Sequence, residues 1–405
     1  MRISSSSLYD VNVSTLNQLQ SKLLQTQQQL ASGRRMLTSA DDPAAAARAL
    51  DVTQAEAVNN QYASNLGVAK DGLSLSESTL QSVTTLIQDI QTKAVNAGNL
   101  SLSNFDRGLI ATDIQGKLAE LIGLANSTDG TGNYLFSGFQ GRTQPFVDTA
   151  AGVQYAGDDG QRQIQGSASR QLPISDSGAD IFMRIKNGNG TFVTQAAAAN
   201  TGTGLVNQDA VINQALLTGN NYQLTFNIAG GITTYDVMNT TTGLAVSAGN
   251  PYVSGKQISF DGMQLIIEGA PANGDKFTVA PSTSESVFKS ISNLINTLNT
   301  PLLPGNAAST TQFMAALSSV QNGLDRSLTG VLTTRASLGA RMNEVDALKS
   351  TGDDLGLQFK QTLSLLQDLD YNKAITDLTR QQTSLQAAQK SFLQVQNLSI
   401  FNYMP

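Results

Sequence analysis

Pairs of aspartates are where this sequence comes nearest to a reactive arrangement. Asp41-Asp42-Pro43 sets two carboxylates side by side, and Asp158-Asp159-Gly160, Asp353-Asp354 and the spaced Asp368 and Asp370 repeat the theme. Two converging carboxylates could divide acid and base roles or hold a hard cation. Their surroundings give each a plainer task. Pro43 suits the first position of a helix that Ala44 to Ala49 would continue, so Asp42 reads as its N-cap. Asp158-Asp159 and Asp353-Asp354 read as turn or helix-start residues, without calcium-loop spacing. Asp368 and Asp370 are two apart and would face different directions on a helix, so they read as a helix start or an exposed face.

The missing residue types exclude more. The 405 residues include no Cys, His or Trp. Serine–histidine and cysteine–histidine catalysis, disulfides, iron–sulfur ligation and the commonest zinc ligands are therefore absent. The glycine runs do not form phosphate cradles. Gly202-Thr203-Gly204 meets Asn207 where a dinucleotide fingerprint needs its third glycine, and Gly255-Lys256 lacks both the leading glycine and the following hydroxyl of a P-loop. No residue is assigned a catalytic, cofactor-binding or metal-binding role.

Charge excludes two partners. Lys and Arg number 25 against 31 Asp and Glu, a net charge of −6, with no basic stripe to displace counterions from nucleic acid. No apolar run reaches the roughly 18 residues of a membrane span. Met1-Arg2-Ile3 followed by Ser4 to Ser7 has no apolar centre of a secretory signal, so export is expected without a cleaved leader. Charged residues make up only 14 %, and Gln, Asn, Ser and Thr take their place. Such a surface packs densely against neighbours because few charges need desolvating.

The elements that position these residues follow from periodicity. Leu16, Leu23, Leu30 and Leu37 recur every seven residues with Leu19 between, and Gly33 after Ser32 interrupts them as a helix stop. A second seam runs Leu66, Leu73, Leu80, Ile87 and Ala94, with Ala69, Val83, Ile90 and Ala97 offset. Leu317, Leu324, Val331, Leu338 and Val345 form a third; Tyr371, Leu378, Leu385 and Phe392, with Ala374, Ala388 and Val395, form a fourth. These seams suit an ordinary bundle core, or surfaces that meet other subunits. Between the flanks the period changes. Of 35 glycines, 22 fall between Gly130 and Pro281; apolar alternation around Gly230-Gly231 and Asp261-Gly262 predicts hairpins, and Asn273-Gly274 turns the chain towards Phe277 and Val279. From about Thr143 to Gly219 the pattern predicts mixed strands and loops. The expected fold is α+β and multidomain: a long antiparallel helical coiled-coil frame built from both chain termini, with an inserted β-rich outer domain.

Particular strings then carry a resemblance. Leu30-Ala31-Ser32-Gly33-Arg34-Arg35 and Ser39-Ala40-Asp41-Asp42-Pro43-Ala44 resemble the N-terminal signature of the flagellin superfamily, and the Asp-Asp-Pro-Ala form its hook–filament junction branch. Asn126, Gly132 to Gly138, Gly269 to Val279, Arg335 to Arg341, Asp370-Tyr371 and Leu398 to Phe401 extend the likeness in order. The resemblance implies a structural adaptor of the bacterial flagellum that joins hook to filament as a ring-like layer; the alternative is flagellin, the filament subunit. Flagellins that trigger the innate receptor carry Arg-x-Arg-Glu where this sequence has Asp89, Gln91 and Thr92. An enzymatic or glycan-binding insert is a third reading.

The resemblance also implies a division of labour. Residues 1–38 and 368–405 would be terminal coiled-coil segments, disordered in the monomer and forming an inner tube on assembly. Residues 39–142 and 286–367 would be a helical body, and 143–285 the β-rich outer domain. Leu16, Leu19, Leu23, Leu30, Leu378, Leu385, Phe392 and Val395 would form the assembly interface; Ser32, Gly33, Asp41, Asp42, Pro43, Asp370 and Tyr371 are the family signature. Implied partners are further copies of the chain, the hook-side hook-associated protein, flagellin, and an export chaperone on the C-terminal helix, with no nucleic acid, membrane or cofactor. The implied location is extracellular, in the flagellum, after type III export.

Overall fold

The structure is a computed structural model and describes residues 5–397. Six α-helices are present among them: α1 (Ser5–Ser32), α2 (Pro43–Ala97), α3 (Asn104–Ala125), α4 (Val287–Asn299), α5 (Ala307–Gln367) and α6 (Tyr371–Asn397). Fourteen strands lie between α3 and α4. The chain divides into two compact units, with boundaries inside α2 and α5: one of residues up to Asn65 and from Ala347 onward, the other Leu66–Asp346. Asp353 and Asp354, expected at a turn or helix start, lie inside α5, because the apolar spacing of this segment continues the helix past them.

In the first unit α1 and α6 lie antiparallel. The rings of Tyr9 and Phe392 are 5.4 Å apart near one end of the pair, and Gly33 meets Tyr371 at the other.

In the second unit the sequence's heptads become a closed core. Leu66, Leu73, Leu80, Ile87 and Ala94 of α2 are buried, as are Leu317, Leu324, Val331, Leu338 and Val345 of α5. Polar bonds flank the seams. Lys93 pairs with Asp113 and Lys117 with Asp89 between α2 and α3; Arg335 reaches Glu77 (2.7 Å) between α5 and α2. The Ser103 side chain and Asp106 form a reciprocal capping box at the start of α3.

Eight of the strands build two larger sheets. β6 (Phe192–Ala196), β8 (Tyr222–Ala229), β9 (Ile232–Asn239), β10 (Leu244–Pro251) and β13 (Lys276–Pro281) form a five-stranded antiparallel sheet in the order β10-β9-β8-β13-β6. β7 (Leu205–Val211), β11 (Gln257–Phe260) and β12 (Met263–Glu268) form a second in the order β11-β12-β7. Both contribute to one core containing Tyr222, Phe226, Phe260, Leu265 and Phe277. The turns sit where glycine permits them: Asp261 and Gly262 both have positive φ (43° and 78°), as a two-residue hairpin requires. Asp275 is buried and accepts the amides of Thr201 (2.9 Å), Gly202 (3.0 Å) and Ala272 (2.8 Å), so the glycine pair Gly202–Gly204 serves a loop. Edge strand β10 carries two register shifts and ends at Pro251, which blunts it against edge-to-edge pairing.

The remaining strands make three two-stranded pairings: β1 (Phe146–Thr149) with β2 (Gly152–Tyr155), β3 (Gln163–Ser167) with β4 (Arg170–Pro173), and β5 (Ile185–Lys186) with β14 (Ser284–Glu285). Phe146 packs its ring 5.3 Å from those of both Phe182 and Phe288, tying this region to α4. Arg341 of α5 pairs with Asp176 and also donates to the Pro173 carbonyl (3.2 Å). Both side chains are largely buried, so removing one strands the other. Arg341→Leu is expected to lower stability in urea unfolding by about 3 kcal/mol, and adding Asp176→Leu should recover most of it. An additive double variant would show that the pair is not the cause.

Candidate functional site

The signature residues from the two chain ends fold into one corner. α1 ends at Ser32 because Gly33 adopts φ +68°, a left-handed conformation that a side chain disfavours. The Gly33 carbonyl then accepts the Leu369 amide (3.0 Å), and the Arg35 amide donates to the Gln367 carbonyl (2.8 Å). Arg34 and Asp368 form an isolated antiparallel bridge between these bonds. A Cβ on Gly33 would lie 2.9 Å from the Tyr371 Oη, so glycine also gives the tyrosine room.

The acidic residues complete the corner. Asp41 accepts the amides of Leu37 (2.9 Å) and Thr38 (2.8 Å), and its other oxygen accepts from Gln25 Nε2 (3.1 Å). The Thr38 and Leu37 amides hold its carboxyl below the ordinary 3.8. Asp42 Oδ1 caps α2 by accepting the Ala45 amide (3.1 Å), with Pro43 as the first helical residue. Its Oδ2 meets Arg35 Nη2 (3.5 Å), which also donates to the Leu366 carbonyl (3.0 Å). Asp370 caps α6 by accepting the Lys373 amide (3.1 Å). Asp41, Asp42 and Asp370 are thus engaged with backbone, and among the described residues no group of three or more acidic side chains could hold a metal.

From this corner run the two terminal helices. Leu16, Leu19, Leu23 and Leu30 of α1, with Leu378, Leu385 and Phe392 of α6, are all half-buried. Val395 lies within α6, but its side chain is outside the described residues, as are Leu398 to Phe401. Only Thr26 and Ala374 are fully buried among the described side chains of the pair. Outside the seam Val11, Leu24, Ile375 and Leu393 are each more than half exposed. Beside the corner an open cavity of about 630 Å³ is lined by Met36, Leu37, Pro43, Ala46, Leu50 and Gln367 among others. What the arrangement offers is exposed apolar surface beside a hydrogen-bonded corner.

The chain's relatives have the same frame. The bacterial flagellin N-terminal helical region matches residues 3–141, and the C-terminal helical region residues 321–404. Flagellar hook-associated protein 3 of Salmonella typhimurium is 31 % identical over 401 residues, spanning 99 % of both chains. This chain belongs to the hook-associated protein 3 family. The crystal structure of the flagellar junction protein FlgL from Legionella pneumophila, 30 % identical, matches with a TM-score of 0.70 over 79 % of this chain and 100 % of its own. A flagellin of Salmonella derby is 27 % identical over 281 residues, covering 62 % of this chain and 52 % of that one. The family's members are structural components of the flagellum.

Residues from both chain ends, Gly33, Arg35 and Asp42 with Gln367, Leu369 and Tyr371, share this corner, a convergence that linear spacing does not reveal. Sequence reasoning missed Arg35, whose guanidinium joins Asp42 to the end of α5, and Gln29, whose Nε2 donates to the Arg35 carbonyl (2.6 Å). Neither has a local signal, since their partners lie across a turn or at the far end of the chain. The capping box had one, Ser-x-x-Asp ahead of an apolar run.

Two outcomes follow for the corner. Gly33→Ala should cost about 1–2 kcal/mol from the left-handed backbone, and the Arg35 and Leu369 amides should exchange faster with deuterium. Adding Tyr371→Ala would relieve only the contact, so full recovery would show that the backbone is not the cause. For Asp41, a depressed folded pKa means that its contribution to stability is present above 3.8 and lost as pH falls through the lowered value. A carboxyl carbon titration should place its midpoint below 3.8; a midpoint at or above that would remove the role of the two amides.

Proposed function

We propose that this chain is a mechanical adaptor seated between hook and filament of the bacterial flagellum, assembled as a ring-like layer through α1 and α6. The observation that carries this reading is the half-covered seam of the terminal helix pair. An antiparallel pair can cover one side of each helix, and here apolar residues occupy the other side as well. Further copies of the same chain would supply the missing cover, each fully buried Leu contributing about 1.5–3 kcal/mol.

Full-length similarity to hook-associated protein 3, against partial similarity to flagellin, favours the adaptor over the filament subunit. Its neighbours are then the hook-side hook-associated protein below and flagellin above. In this reading the segments Ser14–Ala31 and Tyr371–Asn397 are disordered before assembly, and neighbouring subunits fold them as helix. An export chaperone covers Leu378, Leu385 and Phe392 until then. Export follows the flagellar type III route to an extracellular position, and the chain has no enzymatic role, cofactor or nucleic-acid partner. No helix among the described residues is long and apolar enough to cross a membrane.

A strain lacking the gene tests the assignment. Intact hooks with flagellin lost to the medium are expected; normal filaments would sink the adaptor, and hooks with no other flagellin made would identify the chain as the filament subunit. Leu385→Asp should abolish incorporation while leaving the β-rich insert folded by near-ultraviolet circular dichroism. Normal incorporation would exclude the seam.

A further inference from the structure

The terminal helix pair has two unlike flanks. α1 and α6 carry six charged side chains: Asp10, Lys22, Lys373, Asp377, Arg380 and Lys390. Lys22, Lys373 and Asp377 each stand one residue before an apolar seam position (Leu23, Ala374 and Leu378), and Arg380 stands one before the half-buried Gln381. Both helices are right-handed and they run antiparallel. Residues preceding the seam therefore emerge on one flank of the pair, and residues following it on the other. The following flank carries Leu24, Ile375 and Leu393, each more than half exposed, with glutamines between them and no charge.

Asp10 and Lys390 lie further round their helices. Both are exposed, and neither has an ion-pair partner among the described residues. Asp10 lies fourteen residues before Leu24, two heptads, and so shares its side of α1. Lys390 lies fifteen residues after Ile375, a rotation of about 60°, and shares its side of α6. The two charges stand at one height, since the rings of Tyr9 and Phe392 beside them are 5.4 Å apart. Within one copy they cannot meet, because each lies on the side of its helix turned away from the other helix. Asp10 also lines an open hollow of about 570 Å³ with Val11, Ser14 and Gln18.

We propose that α1 of one copy packs beside α6 of a second copy, Asp10 pairing with Lys390 and Leu24 packing on Ile375. This rests on the adaptor reading and names the surfaces through which its copies meet. Copies related by rotation about a ring axis keep one polarity, so α1 meets the neighbouring α6 antiparallel, as it meets α6 of its own chain. Fourteen residues separate Asp10 from Leu24 and fifteen separate Ile375 from Lys390, so one register serves both contacts. The opposite charges select unlike sides, and the apolar pair supplies buried area. Lys22, Lys373, Asp377 and Arg380 stay outside the contact, which leaves few charges to desolvate.

The chain has no cysteine, so introduced thiols are its only ones. Flagella isolated from cells carrying the full chain with Leu24→Cys and Ile375→Cys are treated with a short bismaleimide. A ladder of covalent multimers is expected, and neither single variant should give one. No multimers from the double variant would overturn the proposal; so would multimers from Leu24→Cys alone, which would show like sides meeting. Asp10→Lys and Lys390→Asp should each lower incorporation about threefold or more, and the two together should restore it. A double reversal no better than either single one would exclude the pairing. All four positions are exposed, and unchanged far-ultraviolet circular dichroism checks that the helices persist. Wild-type chain missing from isolated flagella would defeat the adaptor reading itself, so the two failures are distinguishable.

Discussion

A pair of α-helices can bury only the faces turned towards each other, and the terminal helices carry more apolar surface than that. Leu16, Leu23, Leu30, Leu378 and Leu385 are half-buried where they meet, and Val11, Leu24 and Leu393 are exposed elsewhere. Most helical stability in a protein comes from tertiary packing of an apolar face and little from propensity. The corner at Gly33 and Tyr371 therefore matters: its main-chain bonds to Gln367 and Leu369 hold the two chain ends together before anything else covers the seams.

The same heptad pattern has a different outcome in the second unit. Leu73, Leu80 and Ile87 repeat at the same interval as Leu16, Leu23 and Leu30, yet they are fully buried. The difference lies in the number of neighbours. Ion pairs and hydrogen bonds connect α2 to both α3 and α5, so its apolar stripe is enclosed from more than one direction. Unit two is a folded core, and the terminal pair is half of one.

Hydroxyl side chains explain how so weakly charged a chain fills its seams. Thr26 is buried in α1 and Thr84 in α2, each donating to the carbonyl four residues back (3.0 and 2.7 Å). A hydroxyl satisfied by its own helix enters an apolar seam without an unpaired donor. Surfaces rich in such groups meet neighbours at little desolvation cost.

Periodicity alone determined α1, α2, α5 and α6, because heptads of Leu, Ile and Val over several turns fit no other local structure; no such seam marked α3 or α4. Asp-Gly and Gly-Gly steps likewise determined two hairpins, since backbone with positive φ requires them. The cap at Asp42-Pro43 was legible for the same local reason. Strand β10 was not: Leu244 and Val246 alternate across register shifts that break the pattern, and its exposure removes the apolar face that marks a strand. That Gly33, Arg35, Asp42 and Tyr371 share one corner, and that Asp176 is the partner of Arg341, was decided only by tertiary structure. Local propensity acts over a few residues. Which distant carbonyl or carboxylate a group finds depends on how buried faces stack, and that information is held in no single segment of the chain.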